Sequence, residues 1–389
     1  MNTNKWMMKI PTIAFLLFYI PLSLFAQRKP EISGYVSDMP SVIRQTAPQP
    51  TWYWENLMHN RLNWDWQFAE CFSFDASMRN RLIIADEMLI NVDAMDFDKG
   101  RVDLTWNYFD AKNVILNTTF DRFNFTFEKD KWKLQLGRQR INWGQTFVWN
   151  PNDIFNTYSF FDFDYPERPG CDAFRTTYFH NETASTELAA SINHSGKTTA
   201  ALMHHWNWKD IDFQAIGGIF EESDIVLGGA WTGDFNGLNF RGEFSIFQPV
   251  KHFSDTTATV AASVGIDYIF NNSLMLQAEV LYNNNVENST TGGGLMSMYS
   301  APMSAKMLSI CDWNVFTQAS YPITSRLNSS VSSMYFVGLD ALYVGLSFDY
   351  SLFENVDLSL VSQYFTTVNS SATGSMSACL GFVRLKWSF

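Results

Sequence analysis

The chain has 389 residues, 39 of them acidic and 27 basic, for a formal net charge of −12, with 46% apolar, 16% aromatic and only 17% charged side chains. A disordered chain has few aromatics and a high charge fraction, and a nucleic-acid binder carries a basic excess, so both classes are excluded. Four cysteines are too few for a disulfide scaffold, and a mean hydropathy of −0.12 is too polar for a helical membrane protein, yet there are more rings than a water-facing surface uses.

Lys5 and Lys9 precede an apolar run from Ile10 to Phe25 that ends at Ala26. This is the charged start, short apolar core and small residue of a secretory signal, with cleavage expected after Ala26. The alternative is a signal anchor, but Pro11 and Pro21 interrupt the run, which is shorter than the ~20 residues of a spanning helix. No cysteine follows the apolar core, so a lipoprotein is not expected. Residues 27–389 are read as one domain, and no stretch in it approaches the ~18 uninterrupted apolar residues of a membrane helix.

From there the chain alternates with period two. In chain order the pattern predicts strands over 31–38, 54–66, 69–82, 117–127, 132–142, 172–181, 186–195, 197–208, 210–221, 224–233, 237–248, 256–270, 273–284, 312–322, 327–337, 341–351, 356–367 and 377–389. Within the third, Phe72, Phe74, Ala76 and Met78 oppose Asp75, Arg79 and Arg81; in the last, Val383, Leu385, Trp387 and Phe389 oppose Arg384, Lys386 and Ser388. Many short alternating segments between turn residues are the signature of an all-β transmembrane antiparallel barrel, the one kind of sheet that crosses lipid without an unpaired edge. A periplasmic β-sandwich also alternates. The export signal, the aromatics near strand ends and the terminal Phe389 favour the barrel; a terminal aromatic on an alternating strand looks like the C-terminal signature that the outer-membrane assembly machinery reads.

Bacterial barrels have even strand numbers, tight turns on the periplasmic side and long loops outside. Eighteen strands place the connections 39–53, 83–116, 143–171, 285–311 and 368–376 outside and the tight turns at 128–131, 271–272 and 324–326 inside. Residues 102–108 could form another strand, but counting it puts 143–171 on the wrong side; sixteen strands is the fallback. A barrel this wide encloses a water-filled lumen unless loops occupy it.

Nine of the fourteen arginines lie between Arg61 and Arg175. Strand phase turns Arg61, Arg79, Arg81, Arg122 and Arg175 inward. In 132–142 the apolar face slips between Leu136 and Ile141, so a bulge is expected at Gly137, after which Arg138, Arg140 and Asn142 point inward. Rings of arginine in a pore select anions, so these residues read as an eyelet for anionic or hydroxyl-rich solutes. The alternative is that they neutralise luminal Asp65, Asp75 and Asp121 and stiffen the wall.

Gly137-Arg138-Gln139-Arg140-Ile141-Asn142-Trp143-Gly144, followed by Asn150-Pro151-Asn152-Asp153 and Arg168-Pro169-Gly170, resembles the short motifs of porin-like barrels related to the alginate-export family, many of them from Bacteroidetes. The match spans about forty residues; beyond it only the alternation agrees. The resemblance implies an eighteen-stranded pore with a basic lumen lined in part by Arg138 and Arg140.

The stretch 145–170 holds many rings among acids, with Trp149, Asp153, Phe155, Tyr158, Asp162 and Arg168 as candidates for a constriction. Such a loop is expected to fold against or into the barrel mouth; the alternative is that its rings only pack it on the wall. His204 and His205 alternate faces and cannot share a metal. The acidic run Asp86, Glu87, Asp93, Asp96, Asp98 and Asp103 lacks an EF-hand spacing and reads as a solvated loop. Pairings Cys171–Cys311 and Cys71–Cys379 stay open. No nucleophile elbow, P-loop, dinucleotide or zinc pattern is present, so no enzyme and no cofactor is expected. The expected partners are outer-membrane lipids, the assembly machinery through Phe389, and a diffusing solute such as a carbohydrate. The sequence thus points to an outer-membrane channel, with a surface-binding barrel or a barrel enzyme as the alternative.

Overall fold

The computed structural model describes residues 29–46, 49–89, 92–158, 160, 167–251, 253–284, 303–367 and 377–389. The expected export signal lies outside them, as does Asp162. Nineteen strands run β1 (Glu31–Gln45), β2 (Thr51–Ala69), β3 (Phe72–Ala85), β4 (Thr105–Ala111), β5 (Val114–Lys129), β6 (Trp132–Gln139), β7 (Cys171–Asn181), β8 (Ala184–Ile192), β9 (Thr198–Trp208), β10 (Ile211–Phe220), β11 (Asp224–Phe235), β12 (Leu238–Pro249), β13 (Thr259–Ile269), β14 (Met275–Asn283), β15 (Trp313–Thr324), β16 (Leu327–Val337), β17 (Ala341–Phe353), β18 (Val356–Thr367) and β19 (Ser377–Ser388). Every neighbouring pair is antiparallel. The sheet closes where β1 pairs with β19 from Tyr35 opposite Ser388 to Gln45 opposite Ala378. Phe389 finishes this seam by exchanging two backbone hydrogen bonds of 2.9 Å with Gly34.

Alternation decides which face is wet. On β2, Trp52, Trp54, Met58 and Trp64 lie on the exposed outer face, while Leu57, His59 and Arg61 are buried inside. On β19, Val383, Leu385 and Trp387 are outside and Arg384 and Lys386 inside. An outer band of rings and aliphatic chains is what a barrel wall presents to lipid, and closure leaves no strand edge to pair in hydrocarbon. The two ends of the cylinder differ. Tight turns such as Glu70–Cys71, Asp130–Lys131 and Lys209–Asp210 close one end, several with residues at positive φ; the long connections leave the other.

All eighteen expected strands are present, with different ends. β1 and β2 extend to Gln45 and Thr51, so the long outer connection expected at 39–53 shrinks to five residues. Residues 102–108, read as loop, overlap the strand β4, and this corrects the expectation without changing the parity. β4 pairs with residues 114–119 of β5, and β6 pairs with 123–129 on the same edge of that strand. β4 and β6 therefore share one position in the wall, end to end, and the barrel has eighteen staves. The chain leaves the wall at Gln139, and β4 fills the row above.

The bulge also sits elsewhere than expected. The β5–β6 register runs unbroken through Gly137, and the extra residue is Asp121, where the β3–β5 pairing slips between Ser77 and Met78. Gly137 is needed for another reason: its φ is 120°, and a Cβ there would lie 2.3 Å from the Phe123 carbonyl oxygen. Without a bulge in β6, Arg138 stays in the outward phase, opposite Phe123, and is not a lumen residue. It is buried by residues 98–104. Its guanidinium bonds Asp98 Oδ2 at 2.7 Å, Asp172 Oδ1 at 2.8 Å and the Val102 carbonyl at 2.6 Å. The segment is tied to the wall on both sides, by Phe120 N–H to the Leu104 carbonyl and His194 N–H to the Lys99 carbonyl.

Candidate functional site: the segment inside the barrel

The described residues of the β6–β7 connection run inside the barrel. Ile141 and Trp143, at most 1% exposed, pack against inward residues Ala173, Ala189, Ala201, Val226 and Phe247 of the wall. Farther on, Val148 and Trp149 join Phe316, Met334, Phe336, Tyr343 and Phe365, the inward residues at the outer ends of β15 to β18. The inward positions there are apolar because protein, not water, covers them.

Backbone that leaves a sheet and is buried must find other acceptors for its N–H groups. Two wall carboxylates, Glu243 and Glu279, supply them, and a third, Glu187, takes a side-chain donor. The Trp143 indole donates to Glu187 on β8 at 2.6 Å. The Gln145 amide and Thr146 hydroxyl donate to Glu243 on β12 at 2.9 and 2.6 Å. The amides of Phe147, Val148 and Trp149 all donate to Glu279 on β14, at 2.8, 3.1 and 2.9 Å. Each carboxylate is at most 2% exposed. Donors converging on a buried carboxyl group satisfy the chain and the carboxyl oxygens together.

Asn150-Pro151-Asn152-Asp153 forms a turn closed by the Asp153 amide on the Asn150 carbonyl at 3.1 Å, with proline preset for its position. Asn152 donates to the Gly229 carbonyl on β11 at 3.0 Å and accepts from the Ser245 hydroxyl on β12 at 2.8 Å. Asp153 is 1% exposed; its Oδ1 accepts from Trp143 N–H at 3.3 Å, and Oδ2 meets no donor among the described residues. Burial pushes its carboxyl up to about 7, against the opposing pull of Arg140 and Arg168. Phe155 meets the Trp143 ring edge-on, and the Arg168 guanidinium lies 2.9 Å from the centroid of the Tyr158 ring. Phe160 reaches Phe316, 5.0 Å between centroids. The return limb comes back along the other side, where Arg122 donates to the carbonyls of Glu167 and Arg168, and the Tyr35 hydroxyl donates to Glu167 Oε2 at 3.1 Å.

Arg61, Arg79, Arg81 and Arg122 project inward from β2, β3 and β5, in register with one another: Arg61 opposite Arg79, His59 opposite Arg81. Asp121, the bulged residue, bonds Arg61 at 2.7 Å and lies 3.8 Å from Arg79, one carboxylate between two guanidiniums. Arg175 is paired with Glu187 at 2.6 Å. Of the sequence candidates, Arg140, Trp149, Asp153, Phe155, Tyr158 and Arg168 are gathered in the inner segment, the other arginines on the wall. Glu187, Glu243 and Glu279 were missed. Their only signal is a single acid in an inward phase, which in a barrel reads as ordinary luminal polarity. All four cysteines are free thiols, so neither open pairing is formed.

No family model matches the chain, and no curated protein matches it. Among solved structures it resembles Pseudomonas aeruginosa OccK5 (OpdH), with TM-score 0.57 at 7% identity over 92% of this chain and 98% of that one. Pseudomonas aeruginosa OccK11 (OpdR) gives 0.56 at 8% over 92% and 96%, and OpdQ of the same organism 0.55 at 8% over 93% and 99%. These neighbours are outer-membrane porins. At such identities the likeness establishes the fold: a closed antiparallel barrel of eighteen strands.

Proposed function

We propose that this chain is an outer-membrane channel of a Gram-negative bacterium, exported through the Sec route, that passes small or oligomeric anionic or hydroxyl-rich solutes along an arginine-bearing arc of its lumen. The observation that carries the reading is the asymmetry of the inner wall. On β8, β12 and β14 the acids Glu187, Glu243 and Glu279 are spent on the inner segment, while on β2, β3 and β5 two guanidiniums share Asp121 and Arg81 and Arg122 add further positive charge. Arg61 and Arg79 are buried around Asp121 while Arg81 and Arg122 are half-buried, so the fixed charge of that arc is cationic, and fixed cationic charge in a narrow pore favours anions. The porin-like fold supports the same reading, as does the outer band of rings. Residues 140–158 and 167–170, lying inside the barrel, narrow the path.

Liposome swelling with sugars of graded size and charge tests the proposal. Faster swelling with uronates than with neutral sugars of equal size is expected, and liposomes that stay sealed to every solute would refute a channel. Deleting residues 145–158 from the same protein should raise its single-channel conductance in planar bilayers; an unchanged value would remove the constriction.

A further inference from the structure

A second piece of chain enters the lumen. Residues 303–312, the end of the β14–β15 connection, carry Ala305, Leu308 and Cys311, each at most 4% exposed. Ala305 packs with Ile141, Trp143 and Ile154, and Leu308 and Cys311 pack with Val148 and Trp149. This piece therefore backs the inner segment at both of its apolar contacts.

Its placement is fixed by polar contacts on two distant strands. On the β14 side, the Asn283 side chain donates to the Lys306 carbonyl at 3.3 Å. Ser304 and Met307 exchange two backbone hydrogen bonds, a tight turn that projects Lys306 across the mouth. There the ammonium meets Asp224 Oδ1 on β11 at 3.0 Å, and the Ser223 hydroxyl occupies Asp224 Oδ2 at 2.6 Å. Asp224 is 3% exposed and faces inward, in phase with buried Val226. β11 and β14 are three strand spacings apart, roughly 14 Å. One lysine thus ties a loop rooted beside β14 to a wall carboxylate on the far side of the inner segment.

We infer that residues 303–311 are a second narrowing element, held over the inner segment by the Lys306–Asp224 ion pair, with Lys306 and Asp224 as positioning residues for solute passage. The inference rests on the channel reading for its effect on passage, but not for its geometry. Glu243 and Glu279 serve the inner segment and Asp224 serves the second loop, so the two pieces have separate polar anchors while their apolar side chains pack together.

The test uses the full-length protein with Lys306→Met, Asp224→Asn and the exchange Lys306→Asp with Asp224→Lys, each checked for the heat-modifiable band of a folded barrel. Native Cys311 reports loop position without any current. Its modification by a maleimide, read by peptide mass, should be faster in both neutral variants and slow again in the exchange. Single-channel conductance should rise roughly twofold in the neutral variants and fall back in the exchange, as a wider path at fixed lumen charge requires. Cys311 labelling that is the same in wild type and both neutral variants would overturn the inference, whatever the current does. Faster labelling in a protein that never conducts would uphold the latch and refute the channel.

Discussion

Glu279 accepts three consecutive backbone amides and the Ser263 hydroxyl, so replacing one of its oxygens tests how the inner segment is held. Glu279→Gln keeps one oxygen and turns a second acceptor into a donor aimed at N–H groups. The expected loss is about 2 kcal/mol, seen as amide exchange at residues 147–149 about 30-fold faster. Asp153 sets a pH dependence. Its carboxyl, at about 7, is above the ordinary value, so its protonated form favours the docked segment. That contribution is complete below about pH 4 and is lost as pH rises through 7. Conductance fluctuations should grow between pH 6 and 8 and be flat in Asp153→Asn, with roughly half of the change near the carboxyl's own midpoint. Arg138→Met leaves Asp98 and Asp172 buried without their shared cation, an expected cost of about 3–5 kcal/mol in urea unfolding of the reconstituted barrel.

At the scale of elements, the alternation exposed every stave because lipid and water impose opposite demands on successive residues. It failed where neither solvent is present. Residues 102–108 break the pattern since β4 has only one wall neighbour, β5, and Tyr108 and Phe109 are both exposed. At the outer ends of β15 to β18, pairs such as Tyr335–Phe336 and Tyr364–Phe365 are apolar on both faces; read as a docking surface for chain inside the barrel, they would have located the inner segment. The phase slip after Leu136 was visible, but its cause was not a bulge. The chain leaves the sheet at Gln139, and a period-two pattern cannot tell a bulge from an exit. Arg138, carried inward by that inference and by the alginate-export resemblance, belongs to the seam under residues 98–104 instead.

For the whole molecule, the proposed channel rests on the division of the inner wall into an arc whose acids Glu187, Glu243 and Glu279 are covered by chain and an arc that carries Arg61, Arg79, Arg81 and Arg122. Arg79→Glu with Arg81→Glu should move the reversal potential in a salt gradient from the anion side to the cation side; no movement would mean that ions pass elsewhere. The inward phase of Arg61, Arg79, Arg81, Arg122 and Arg175 was legible from alternation, because inward positions recur every second residue, whereas Arg138 and Arg140 stand where the chain leaves the sheet. The covered acids were not, because Glu243 and Glu279 take backbone amides about 100 or more residues away and Glu187 takes the Trp143 indole, and none of these donors leaves a signature in the strand's own pattern. The shared stave has one more outcome. Since the inner segment departs from the wall at Gln139 and rejoins it at Cys171, beneath the cover of residues 98–104, its two hinges are roofed over. A protease shaving the surface of intact cells should therefore clip the outer connections and leave residues 140–158 uncut.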